Sequence, residues 1–228
     1  MKRTGSSDRR LQLPRAPVRS FQQRLIRWYR RHGRDLPWRR TRDPYRILVS
    51  EIMLQQTQVD RVRSFYRRFV RRYPSIEDLA AAGAGEVRDA WEGLGYYARA
   101  RHLHATAKSV VAEHGGRLPN DAETIQRLPG IGRYTAGAVL SIAYGQDAAI
   151  LDTNAARVLT RVFGVSTRGS KSRVQRRLWA IAEHVTPAGR ADVFNQAIMD
   201  LGATVCRAQR PACPRCPVRT VCRTAPRT

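Results

Sequence analysis

Lysine is almost missing from this 228-residue chain: only Lys2, Lys108 and Lys171 occur, so 39 of its 42 cations are arginines. Acids are scarce too, 18 in all, and the formal net charge is +24. Arginine keeps its charge at any working pH and pairs bidentately with phosphate. A polyanionic partner follows, nucleic acid first, against the plainer alternative that the arginines merely solvate helix faces. The surplus is uneven, with fifteen cations to three acids from Met1 to Arg46 and six cations to no acid from Cys206 onward. Both ends are therefore expected near the polyanion, or else residues 1–20 form a disordered basic arm. Also lacking is any apolar run of the roughly eighteen residues that a membrane-spanning helix needs. Behind the charges of Met1 to Ser20 there is no apolar stretch of the kind a secretory signal carries. These absences predict a cytoplasmic, nucleoid-associated protein with no membrane contact.

Alternating strand patterns are few, and helical periodicity dominates, which predicts an all-α fold. Phe21 to Arg31 reads as a helix with Phe21, Leu25 and Trp28 on one stripe. Arg46 to Arg72 reads as two helices or one bent helix, ended by Tyr73-Pro74. Shorter helices are expected at Ser75–Ala82, Glu86–Trp91 and Ala98–Glu113, punctuated by glycines. Asn120 looks like the N-cap of the next helix, with Glu123 completing a near capping box.

Leu128-Pro129-Gly130-Ile131-Gly132 then separates Asp121–Leu128 from a small-residue helix, Arg133–Tyr144. Two glycines around one apolar residue permit positive φ and bring bare N–H groups to the mouth of the second helix. Such amides can seat a phosphate, with Ile131 pinning the hairpin from inside. The string Leu128 to Gly137 resembles the helix-hairpin-helix motif of DNA repair glycosylases.

No cysteine occurs before Cys206, and the four present follow the pattern Cys206-x6-Cys213-x2-Cys216-x5-Cys222. Thiols clustered this way in an intracellular protein suit metal better than disulfides. Four thiolates serve zinc and equally a [4Fe–4S] cluster. Arg207, Arg210, Arg215 and Arg219 are interleaved with them, as a phosphate clamp would be.

Two carboxylates invite chemistry. Glu51 sits in an apolar stretch, Ile47 to Leu54, and falls between Ile47 and Leu48 on a helical projection; partial desolvation there raises a carboxyl pKa, as a general acid requires. A boundary glutamate paired with an arginine would read the same way. Asp152 directly precedes the helix Ala155–Phe163, where aspartate is a favoured N-cap. Cleaving an N-glycosidic bond needs such a pair, one acid for the leaving group and one carboxylate for the charge on the sugar.

Leu36-Pro37-Trp38, Pro44-Tyr45, the run Val49 to Val59, Gly93 to Ala100, and Phe194 to Gly202 together resemble MutY-type adenine glycosylases of the endonuclease III superfamily over about residues 21–222. The 6-2-5 cysteine spacing is similar to that family's [4Fe–4S] loop. The resemblance implies that Glu51 protonates N7 of an everted adenine and Asp152 stabilises the oxocarbenium ion. Asn154 would orient the reacting centre and Tyr134 would lie beside the sugar. Trp38, Arg39, Leu54 and Gln196 would line the base pocket. Gln55, Gln56 and Tyr96 would wedge into the stack, with one of Tyr96 and Tyr97 in the core. Pro129, Gly130, Ile131 and Gly132 would hold the strand. Tyr134 replaces the lysine of endonuclease III, which implies a monofunctional glycosylase rather than a lyase.

The implied substrate is double-stranded DNA with adenine opposite 8-oxoguanine or guanine, bound by a monomer. Thymine or uracil opposite guanine is the alternative on this scaffold, and a non-catalytic iron–sulfur DNA-binding protein is the rival of another class. Two helical domains are expected: a barrel at residues 43–148, and a cluster domain from residues 21–42 and 149–228, with DNA in the groove between. The family usually continues into a second domain that reads 8-oxoguanine, whereas this sequence ends six residues after Cys222.

Overall fold

The computed structural model describes residues 14–226, and among them every regular element is helical, giving an all-α fold. The first helix, α1 (Arg15–His32), starts earlier than expected. Residues 15–20, assigned above to a basic arm, form its first turns because Val18 is buried in register with Phe21 and Leu25. The remainder of that expected arm, residues 1–13, lies outside the described residues.

The 46–72 stretch resolves into two helices, α2 (Pro44–Leu54) and α3 (Val59–Arg72). Asp43 caps α2 by accepting from the Arg46 amide at 2.8 Å, with Pro44 at the first helical position. α4 (Ile76–Ala81) carries a reciprocal capping box between Ser75 and Asp78. α5 (Ala84–Ala90) and α6 (Ala98–His114) follow. The cap of α7 (Ala122–Arg127) is Asp121, not Asn120: its carboxylate accepts from the Thr124 amide at 2.8 Å. Either residue can cap, and the burial of Ile125 selects the register. α8 (Arg133–Ile142) completes the hairpin, and α9 (Thr153–Phe163), α10 (Lys171–Val185) and α11 (Ala191–Asp200) complete the helices.

Contacts fall into two sets. α2 packs on α3, α6 and α8, with α4 and α5 against α6 and α7 against α8. α1 packs on α11, and α9 on α10 and α11. Phe21 joins the second set by meeting Phe163 and Phe194 edge-on, with ring centroids 5.4 and 5.9 Å away. Burying a side chain of that size contributes on the order of 2–3 kcal/mol. α11 also packs on α8, so one continuous apolar core runs through both sets. The segment between α8 and α9 also runs close against α8: a Cβ at Gly137 would lie 2.3 Å from the Ala149 carbonyl oxygen.

Candidate active site

A cavity of about 750 Å³ opens at the seam between the two sets of helices. Glu51, Tyr134, Asp152 and Asn154 line it, together with Trp38, Arg39, Leu54, Gln196, Gln55 and Gln56. These residues are spread over some 160 positions of the sequence, and the fold gathers them around one space.

Glu51 enters from α2, whose apolar faces bury nearly all of it, leaving 4% exposed. Burial pushes its carboxyl up to about 7, assisted by the nearby charge of Asp152 and opposed by Tyr134 and Arg39. Tyr134, in the first turn of α8, donates its hydroxyl to Glu51 Oε2 at 2.7 Å and also lies 3.3 Å from Met199 Sδ. Burial, with the two carboxylates, raises the Tyr134 phenol well above its ordinary value, so it remains a donor.

Asp152 is the N-cap of α9, as its place in the sequence suggests: Oδ1 accepts from the Ala155 amide at 2.6 Å. Its other oxygen accepts from Asn154 Nδ2 at 2.9 Å and lines the same cavity. Asn154 is held in turn by Arg157 Nη2 at 2.7 Å, and Arg157 also donates to the carbonyls of Gly202 and Cys206. Gly202 must be glycine there, since a Cβ would stand 2.6 Å from that of Asn154. It lies in a π turn, Leu201–Val205, that extends α11.

The pocket wall at Trp38 and Arg39 rests on a buried ionic group that the sequence argument missed. Asp200 is fully buried, and Arg39 grips both its oxygens at 2.7 and 2.8 Å while Arg34 adds a side-chain and a backbone bond. Burial raises the Asp200 carboxyl, but the two guanidinia outweigh it and hold it below the usual range. Arg39 is thus a fixed wall of the cavity, its fork already engaged. Gln196 is set by Tyr29, whose hydroxyl donates to Oε1 at 3.1 Å.

Tyr96 and the hairpin residues Pro129 to Gly132 do not line the cavity, whereas Gln56 stands in its lining. Gln56 and Tyr96 both adopt left-handed backbone, at φ 56° and 50°, a strain of about 1–2 kcal/mol each. Tyr96 and Tyr97 are 58% and 41% exposed, so neither is in the core, contrary to the expectation for one of them. The turn at Gly93 and Gly95, with φ 86° and 77°, rotates both rings outward. In the hairpin, Gly130 has φ 74° and packs tightly on His102, whereas Gly132 is extended at φ −90°. Only one of the two glycines therefore uses the left-handed region. Gly132 caps α8 without a side chain, with open space where its Cβ would be, and Ile131 is buried as expected. Pro129 accepts the Thr106 hydroxyl at 2.7 Å.

The four cysteines are free, partly buried, and together line an apolar cavity of about 340 Å³. Burial pushes the Cys216 thiol up to about 11, with the other three thiols adding to it. Among the described residues no set of three or more His, Cys, Asp or Glu side chains is drawn in to the spacing of ligands about one metal ion; the thiols surround a void. Arg207, Arg210 and Arg215 are exposed around it, and Arg210 is left-handed at φ 47°.

Human adenine DNA glycosylase is 48% identical over 217 residues, which is 91% of this chain and 40% of that protein. The chain thus spans well under half of that relative. A thymine-DNA glycosylase of Aeropyrum pernix is 38% identical over 92% of this chain and 96% of its own length. The solved structure of a thermostable thymine-DNA glycosylase superposes with a TM-score of 0.85 at 34% identity, covering 92% of this chain and 97% of that one. Endonuclease III trapped on DNA shares the fold, with a TM-score of 0.78 at 24% identity over 94% of this chain and 98% of that one. Residues 49–184, which hold Glu51, Tyr134 and Asp152, match the profile of the HhH-GPD superfamily base excision DNA repair protein. The chain belongs to the HhH-GPD superfamily of base excision DNA repair proteins.

Proposed function

We propose that the protein is a monofunctional DNA N-glycosylase of base excision repair that removes adenine opposite 8-oxoguanine or guanine. The observation that carries this reading is the pair Glu51 and Asp152 on one cavity in unlike settings, the first buried with its pKa near 7, the second bound by an amide and by Asn154. An everted nucleotide would enter between them. Protonated Glu51 gives its proton to N7 while the C1′–N9 bond breaks and its electron pair passes into the purine. Asp152 faces the positive charge left on the sugar. Tyr134 holds Glu51 and offers no amine, so the strand stays intact. Asn154 positions Asp152, and Trp38, Arg39, Leu54 and Gln196 form the base pocket.

DNA would lie along the seam between a barrel at residues 43–148 and a unit from residues 21–42 and 149–228, as one monomer per site. Gly130 to Gly132 would meet a backbone phosphate, and binding would weaken steeply with salt. The four cysteines would hold a [4Fe–4S] cluster, a multi-atom group that suits a void ringed by free thiols. When bound it supplies a cross-link that fixes Arg207, Arg210 and Arg215 as a clamp.

The near end-to-end match to a thymine-DNA glycosylase favours a second reading, thymine or uracil opposite guanine. Excision without alkali from duplexes holding A opposite 8-oxoguanine, A opposite G, T opposite G and U opposite G decides between them. Adenine removal leaving unbroken strands is expected, and removal of thymine alone would overturn the first reading. Equal behaviour of wild type and Glu51→Gln would point to the non-catalytic rival.

A further inference from the structure

Arg99, near the start of α6, is 7% exposed, yet among the described residues no carboxylate lies within ion-pair distance of it. A buried guanidinium without a counter-ion is costly unless dipoles replace the lost water. Here they do. Nη1 donates to the carbonyls of Ile52 at 3.1 Å, Met53 at 2.7 Å and Gln55, at the C-terminus of α2, where the helix dipole is negative. Nη2 donates to Thr57 Oγ1 at 3.1 Å and to the carbonyls of Gly95 at 3.0 Å and Leu94 at 3.5 Å. The cation also sits over the Trp91 and Tyr96 rings, 5.5 and 5.3 Å from their centroids.

One side chain therefore joins two loops remote in sequence, and these are the loops that carry Gln56 and Tyr96 in left-handed backbone. Such conformations persist only where the surroundings over-determine them. Nη1 serves the first loop alone while Nη2 bonds to both, so one guanidinium ties the two loops together and neither can relax without disturbing the hydrogen bonds of the other.

We propose that Arg99 is a positioning residue that fuses the Gln55–Thr57 loop and the Leu94–Tyr96 turn into a single preformed wedge for opening a base stack. It rests on the glycosylase reading above. A loose wedge would still bind the duplex through charge, but it would have to be ordered during insertion, and extrusion of the target would suffer.

Arg99→Lys keeps the charge, but one ammonium cannot reach both sets of acceptors. The probe is a duplex with 2-aminopurine in place of the target adenine, whose fluorescence rises on unstacking. Affinity is read separately by anisotropy. The variant is expected to bind within about twofold of wild type while the fluorescence rise drops severalfold. Single-turnover excision should fall about 10- to 100-fold on a paired duplex and no more than about threefold when adenine is already unstacked in a bulge. Thr57→Val, which removes one acceptor at the loop, should show the same split at about threefold, and it serves if Arg99→Lys fails to fold. A full fluorescence rise with either variant, or equal loss on paired and bulged substrates, overturns the proposal. Wild type that extrudes the probe but excises no base sinks the glycosylase reading alone; wild type that leaves the probe stacked sinks both.

Discussion

The two walls of the cavity carry the same functional group in opposite settings. On the α2 side, Glu51 is buried among apolar side chains and touches one phenol, and its carboxyl holds a proton near neutrality. On the α9 side, Asp152 is partly buried and accepts from an amide and a side-chain amide at once. The contrast teaches that, on the proposed reading, the division of labour between acid and counter-charge is set by where each helix begins and what it buries, because the carboxyl itself is common to both.

The comparison can be broken from either wall. Glu51→Gln keeps the acceptor for Tyr134 but removes the titrating proton; excision should fall about 10²–10⁴-fold with DNA binding retained, as measured by single-turnover assay and anisotropy. Asp152→Asn leaves a residue that caps as well as aspartate, so thermal unfolding should be nearly unchanged while excision falls by about 10²-fold. Unchanged excision by Asp152→Asn would instead make Asp152 a cap and nothing more.

Acidity sharpens the contrast. With Glu51 at about 7, the rate should drop roughly tenfold per pH unit above that value. The folded protein also holds this proton more tightly than the unfolded chain, whose glutamate titrates near 4.5. Stability should consequently decline as pH rises from about 4.5 through 7, and denaturation of wild type against Glu51→Gln at pH 5 and 8.5 should reveal a differential on the order of 3 kcal/mol. The smallest effect belongs to Tyr134→Phe. Its hydroxyl favours ionised Glu51, so removing it should move the alkaline limb of the rate profile upward in pH and change the plateau only severalfold.

Local chemistry made much of this legible in advance. The apolar run around Glu51 and the capping position of Asp152 are properties of a few consecutive residues, and the hairpin glycines announce a turn by themselves. Asp200 was hidden because its arginine partners lie more than 160 positions away. The outward swing of Tyr96 and Tyr97 depends on two glycine φ angles that periodicity does not see. The extension of α1 over residues 15–20 depends on Val18 finding the core, which a count of charges overlooks.

Gly132 and Tyr134 stand two residues apart on α8, one at its open mouth and the other on the Glu51 carboxyl. About 3 Å of axial rise separates them. A strand resting on that mouth would be gauged by the same helix that aims the acid. On the proposed reading, the reach from a bound sugar–phosphate to the phenol that holds Glu51 is a fixed length of backbone, and an inserted or deleted residue between these two positions would pull that phenol off Glu51 while leaving every side chain of the cavity present.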